Sequence, residues 1–179
     1  MLNLILAIVF IAVGLWCSWA QAKVYETQDQ ALHNAFPEQQ VGRKTLFLTQ
    51  EQADRIEKLA RAKVDSHIVT YYVARDSSGV TGIAFFDRQT VRTLPITYSV
   101  VVKPSGKIDR VEILSFDEPD DYFPPLRWLR LYRNRALNND LNIGRAIPHI
   151  TGASLTSQAV NDGVRRALAT FEICVKGTL

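Results

Sequence analysis

His67-Ile68-Val69-Thr70-Tyr71-Tyr72-Val73-Ala74, followed by Asp76-Ser77-Ser78-Gly79 and then Val80 to Phe86, is two β-rich runs around a four-residue turn signal. Branched and aromatic residues on either side of such a turn predict a hairpin. The pattern repeats further on, where Ile96 to Val102 and Lys107 to Phe116 flank Pro104-Ser105-Gly106 and predict a second hairpin. Upstream, Val41 to Leu48 reads as one more strand.

Helices surround these runs. Thr27 with Gln30 has capping-box spacing ahead of Ala31, Leu32, Ala35 and Phe36, and Pro37 ends that helix. Thr49 with Gln52 repeats the spacing and opens a helix with Ala53, Ile56, Leu59, Ala60 and Val64 on one face. The expected fold class is α+β: an antiparallel sheet of two hairpins plus an additional strand, packed against helices over one face, with a C-terminal helix.

The chain has 179 residues, enough for one domain with a real core. Residues 1–22 stand apart. Leu4 to Leu15 is almost wholly apolar and Ala20-Gln21-Ala22 offers a signal-peptidase pattern, so 1–22 is expected to be a signal peptide and 23–179 the mature domain. The n-region lacks Lys and Arg, which keeps an uncleaved N-terminal anchor as the alternative. Export implies a periplasmic or otherwise extracytoplasmic location. Of the two cysteines, Cys17 precedes the cleavage point and Cys174 sits among apolar residues near the chain end, as an inert buried thiol would. A net charge of +3, spread along the chain, gives no case for nucleic acid. His33, His67 and His149 lack metal-ligand spacing.

Beyond the sheet, Asp117-Glu118-Pro119-Asp120-Asp121-Tyr122-Phe123-Pro124-Pro125 is an acidic, aromatic loop of the kind that carries ligand contacts over a rigid scaffold. Leu126 to Arg135 reads as a helix with Leu126, Leu129 and Tyr132 inward. Its Arg127, Arg130, Arg133 and Arg135 form either a solvated face or a docking surface for an acidic partner.

Ile150-Thr151-Gly152-Ala153-Ser154-Leu155-Thr156-Ser157 opens the last amphipathic helix. Gly152 and Ala153 let the backbone approach a ligand, and Ser154, Thr156 or Ser157 can cap the helix. Leu155, Ala159, Val160, Val164, Ala167, Leu168 and Phe171 predict a buried face, with Gln158, Asn161, Asp162, Arg165 and Arg166 outward. Such a helix start suits a phosphate; a plain N-cap is the blander reading. The stretch also approaches the G-x-S-x-G nucleophile elbow, but Pro148 spoils the preceding strand and no His follows His149.

Thr151-Gly152-Ala153-Ser154 resembles the [Ser/Thr]-Gly-Ala-[Ser/Thr] motif of the FMN-binding domain family, which includes the G subunit of the Rnf complex and the C subunit of the sodium-translocating NADH:quinone oxidoreductase. Val24-Tyr25-Glu26-Thr27, Thr70-Tyr71-Tyr72-Val73, Phe85-Phe86-Asp87, Val91-Arg92-Thr93-Leu94-Pro95 and the final helix extend the resemblance over nearly all of 23–179. It implies an FMN phosphoester on Ser154, with Thr156 as the competing acceptor, installed by a flavin transferase that uses FAD. Thr151 would shape the turn, and the backbone at Gly152 and Ala153 would approach the phosphate. Glu118 and Tyr122 become candidates for contacting the isoalloxazine, and His149 for donating to the phosphate. Arg92 and Thr93 either line the flavin or occupy a strand's polar face. Two positions depart from the family pattern: Pro148 stands where an acidic residue is usual, and Ser154 where many members have Thr. Tight noncovalent FMN is therefore the alternative mode. The function implied is extracytoplasmic electron transfer to or from an unidentified membrane or periplasmic redox partner. The competing class is a non-redox exported module that binds a ligand or a protein.

Overall fold

The computed structural model describes residues 23–179, so the expected leader lies outside the described residues. In chain order the elements are β1 (Lys23–Val24), α1 (Gln28–Ala35), β2 (Gln40–Phe47), α2 (Gln50–Ala60), β3 (Ile68–Asp76), β4 (Gly79–Thr90), β5 (Pro95–Val102), β6 (Ile108–Phe116), a short α3 (Leu126–Leu129) and α4 (Ser154–Thr170). α4 runs on into a π-helical turn, Phe171–Val175.

Both hairpins form. Asp76 fixes the first turn, its carboxylate accepting the Ser78 N–H (2.7 Å) and hydroxyl (2.6 Å), and Gly79 takes φ +120°. The second turns at Gly106, φ +80°. β2 to β6 make a simple antiparallel meander, and the two residues of β1 pair with Phe116 and Ser115 at the β6 edge. The fold is thus α+β, as the patterning predicts, with β1 as an edge strand that two residues could not signal.

Strand alternation divides the core. Tyr71, Val73, Ile83, Phe85, Tyr98, Val100 and Val111 point to the face covered by α4, which also meets Trp128, Leu129 and Tyr132. Ala74, Ala84 and Val101 point to the opposite face, where α1 sets down Leu32 and Phe36. The sheet is therefore covered on two faces rather than one. Both expected capping boxes are present, at Thr27/Gln30 and Thr49/Gln52, and they start α1 and α2 where the side chains of Ala31 and Ile56 can be buried.

Two expectations are corrected. The predicted helix over 126–135 is only α3 followed by a 3-10 turn, Arg130–Tyr132. Leu129 and Tyr132 point inward as expected, but within α3 Trp128 is buried where Leu126 is expected, and Leu126 is 57% exposed. In α4, Asn161 and Arg165 do not face water: they are 1% and 2% exposed, and Arg166 is half-buried. α4 is enclosed because α2 packs against it as well, around Ile56, Ala60 and Ala169.

Arg165 is the clamp of this layer. Its guanidinium donates to the carbonyls of Ala60 (2.5 Å), Leu59 (3.2 Å), Asn138 (2.9 Å) and Leu141 (2.7 Å). The first two are unpaired carbonyls at the C-terminal end of α2, where the helix dipole favours a cation. Burial, then the neighbouring Arg61, lowers the Arg165 pKa from the ordinary guanidinium value.

Gly163 marks the closest approach of α4 to the sheet. A Cβ there would overlap the Tyr98 hydroxyl and lie 2.8 Å from Asp87 Oδ2. Tyr98 is fully buried, its hydroxyl 3.2 Å from that same oxygen, so it cannot yield cheaply.

Two stability measurements test this layer. Gly163→Ala should lower the urea midpoint although alanine improves helix propensity by about 1 kcal/mol, because overpacking costs about 1–3 kcal/mol. Arg165→Met removes every donor from the four carbonyls and should cost about 3 kcal/mol or more in the same titration, with Arg165→Lys losing less.

Candidate functional site

The turn before α4 is held from three sides. Trp128 donates its indole N–H to the Pro148 carbonyl (2.7 Å). The Ser157 hydroxyl accepts the Ile150 N–H (2.9 Å) and donates to the Ala153 carbonyl (3.0 Å). The Ala153 N–H closes back on the Ile150 carbonyl (2.9 Å). Gly152 sits in this ring at φ +80°, a left-handed conformation that explains the glycine.

Ser157, though read as a possible helix cap, thus closes the turn instead. Ala153 is the N-cap residue and supplies no side-chain bond. The first intrahelical bond is Ser157 N–H to Ala153 C=O (3.0 Å), so the N–H groups of Ser154, Leu155 and Thr156 precede it. Ser154 is exposed at the helix start. Thr156 is 1% exposed, and its hydroxyl oxygen has no hydrogen-bond partner among the described residues.

Across from this helix start lies the connection between β4 and β5. Glu118, only 7% exposed, directs one carboxylate oxygen at three successive backbone N–H groups: Arg92 (2.9 Å), Thr93 (2.8 Å) and Leu94 (2.9 Å). The Leu94 N–H, then that of Thr93, holds the Glu118 carboxyl below its usual pKa. This brace fixes the backbone from which Arg92 projects. The Arg92 guanidinium donates to the Tyr122 hydroxyl (3.0 Å) and lies 5.3 Å from that ring's centroid.

A cleft of about 270 Å³ results, lined by Val91, Arg92 and Tyr122 on one side and by Gly152, Ala153, Ser154, Leu155 and Thr156 on the other. Of the residues singled out from sequence, Arg92, Tyr122, Gly152, Ala153, Ser154 and Thr156 are brought together here. Thr151 and His149 are exposed beside the turn. Thr93 and Glu118 serve the cleft through backbone bracing and do not line it. Arg92 and Thr93 lie in the bend between strands, not on a strand face. Leu155, expected on the buried face of the last helix, is instead 55% exposed and lines the cleft, and Val91 joins it there; the apolar residues of a connection and of a helix's first turn carry no signal beyond packing.

The chemistry of these donors fits the phosphate of FMN. Unpaired helix N–H groups, a positive helix end and a guanidinium across the cleft all favour a dianion. The orphaned Thr156 hydroxyl is the kind of buried polar atom that a bound oxygen would satisfy.

Comparison with a protein-family model points the same way. A model of the FMN-binding domain family matches residues 93–169, the span holding Glu118, Tyr122 and the entire 151–156 turn. The resemblance carried by Thr151-Gly152-Ala153-Ser154 is borne out over that span. Among solved structures, the chain is similar to NqrC of Shewanella oneidensis, with 18% identity, a TM-score of 0.49, and coverage of 84% of this chain and 85% of that one. No curated protein matches the sequence.

The Glu118 brace gives a pH-dependent prediction. A carboxyl whose folded pKa is lowered contributes stability above its unfolded pKa, near 4.3, and loses it as pH falls through the folded value. Stability should therefore drop on acidification below about pH 4, and Glu118→Ala should flatten that part of the profile. At neutral pH the same variant should be less stable by about 2 kcal/mol, measured by chemical denaturation.

Proposed function

With residues 93–169 matching the FMN-binding domain family, we propose that this chain is an extracytoplasmic flavoprotein that carries electrons to or from a membrane or periplasmic redox partner. What carries the reading is the uncapped start of α4, with its orphaned Thr156 hydroxyl, which lies within the matched region and faces Arg92, just before that region begins, across the cleft.

Each residue has a definable part. Ser154, Leu155 and Thr156 offer backbone N–H groups to phosphate oxygens, and the Thr156 hydroxyl adds a donor. Arg92 supplies positive charge on the opposite wall, and Tyr122 holds its guanidinium in place. Glu118 keeps the Arg92 backbone fixed. Bound FMN supplies the redox chemistry through its isoalloxazine, while the fold sets its position and surroundings.

Attachment is assigned to Ser154, the exposed hydroxyl at the helix start. Its oxygen forms the new bond to phosphorus with FAD as donor; the bond to AMP breaks, AMP leaves, and the serine proton is taken up by the transferase or by water. Thr156 is the poorer acceptor because its oxygen is buried. Leu155, 55% exposed at the cleft, provides an apolar spot where a redox partner can approach. Export rests on the apolar run and Ala20-Gln21-Ala22.

Production of the full chain in an exporting host with a flavin transferase should give yellow protein. Its intact mass should show one added FMN and loss of residues 1–22, and its fluorescence should survive a denaturing gel. Ser154→Ala should lose the covalent flavin. Covalent flavin retained in that variant refutes the attachment point, and colourless wild-type protein shifts the reading to a non-redox exported binding module.

A further inference from the structure

A second and larger cleft, about 500 Å³, opens where the sheet divides. β3 and β4 are paired from Asp76↔Gly79 only as far as Tyr71↔Phe85. Beyond that point Thr70, Val69 and Ile68 remain with β2, opposite Thr45, Leu46 and Phe47. Phe86 to Thr90 remain with β5, opposite Ser99 to Pro95. Two interior strands thus separate, and the gap between them is the cleft. It shares no lining residue with the cleft at α4's start. Ser154 and Arg166, on the same helix, are about 18 Å apart along its axis at about 1.5 Å per residue.

Because side chains alternate, the divided strands line the cleft from both faces of the sheet. On the α4 side, Val69 and Phe85 are closed off by Ala167 and Thr170. Asp87 is also there but is committed: it forms an ion pair with Arg166, which donates as well to the Lys63 carbonyl (2.8 Å). On the other face Tyr72 and Phe86 meet edge to face, with centroids 5.6 Å apart, and Gln28 donates to the Tyr72 hydroxyl (2.6 Å). This aromatic wall is flanked by Arg43, the cross-strand neighbour of Tyr72, and by Arg88, two residues beyond Phe86 on the same face.

Arg43 and Arg88 are exposed cationic side chains lining the cleft, and neither takes part in an ion pair among the described residues. Asp65, on the loop above, is the one other carboxylate of the lining, so cationic groups outnumber anionic ones. At the rim the cross-strand pair Phe47 and Ile68 is 76% and 58% exposed, extending the apolar surface outward.

We propose that this cleft is a binding site for a small organic anion, a carboxylate on a flat apolar body. The body enters the gap between β3 and β4 against Val69, Phe85, Phe86 and Ala167, where planar shape suits a slot between two strands. The carboxylate stays at the mouth and pairs with Arg43 and Arg88, whose guanidinium forks match it. Cations are repelled by the same two groups, and a neutral body of equal shape gains only the apolar contact. The site is independent of the flavin reading.

The test uses 2-naphthoate as probe and 2-naphthylmethanol as its uncharged counterpart, followed by calorimetry and by amide chemical shifts of the full chain. Saturable naphthoate binding is expected, with shifts at Val69, Thr70, Phe86 and Ala167, and at least tenfold weaker binding of the alcohol. Arg43→Ala with Arg88→Ala should weaken naphthoate at least tenfold, while leaving the uptake of FMN unchanged. Absence of saturable binding at millimolar probe overturns the proposal, as does equal affinity for the alcohol, which needs no variant to measure. Loss of binding on Arg92→Ala instead, with shifts confined to 152–156, places the anion in the other cleft and overturns it as well.

Discussion

A single guanidinium holds three separate stretches of this chain in register. Arg165 is fully enclosed with no carboxylate partner among the described residues, and its charge is balanced by carbonyl dipoles from the end of α2 and from the 138–141 connection. Burying a cation is tolerable only when its donors are satisfied, so the four carbonyls and Arg165 depend on one another. Because Arg165 lies on α4, the same contact fixes the helix whose first turn forms the candidate site. The position of that turn relative to the sheet follows from the Arg165 clamp and from the Gly163 to Tyr98 approach two residues before it.

Much of the fold is legible in the residues because it depends on local rules. The two hairpins announce themselves through branched and aromatic runs and through turn residues such as Asp76 and Gly106, and capping boxes mark the starts of α1 and α2. What eludes the sequence comes from partners distant along the chain. Arg165 reads as solvent-facing because a charged residue on a helix usually is; the carbonyls of Leu59 and Ala60 that receive it are more than one hundred positions away. The parting of β3 and β4 is hidden as well, since both runs stay β-rich past Tyr71 and Phe85 and each keeps its other neighbour.

At the site, residue type signals the turn while roles are only partly readable. Gly152 and the hydroxyl residues mark a place where backbone and ligand can approach, and the structure gathers Arg92, Tyr122 and residues 152–156 around it. Three hydroxyls at 154, 156 and 157 were equivalent by helix-cap preference. Packing separates them: Ser154 faces solvent, Thr156 is buried and unpaired, and Ser157 ties the turn together. Glu118 read as a ligand contact because acidic loops over sheets often serve one. Its carboxylate instead organises the Arg92 to Leu94 backbone, a structural duty that leaves Arg92 free to face the cleft.

The ring of hydrogen bonds linking Ile150, Ala153 and Ser157 is contained within eight consecutive residues. Its shape is therefore specified by the segment itself, with Trp128 as the main outside fastening. A motif built this way is portable: the sheet beneath it can lengthen, divide or acquire an edge strand without redrawing the curve of the turn. That separation between a self-defining anchor and an adjustable scaffold gives the chain room to change its outer surfaces while preserving the local shape of one short loop.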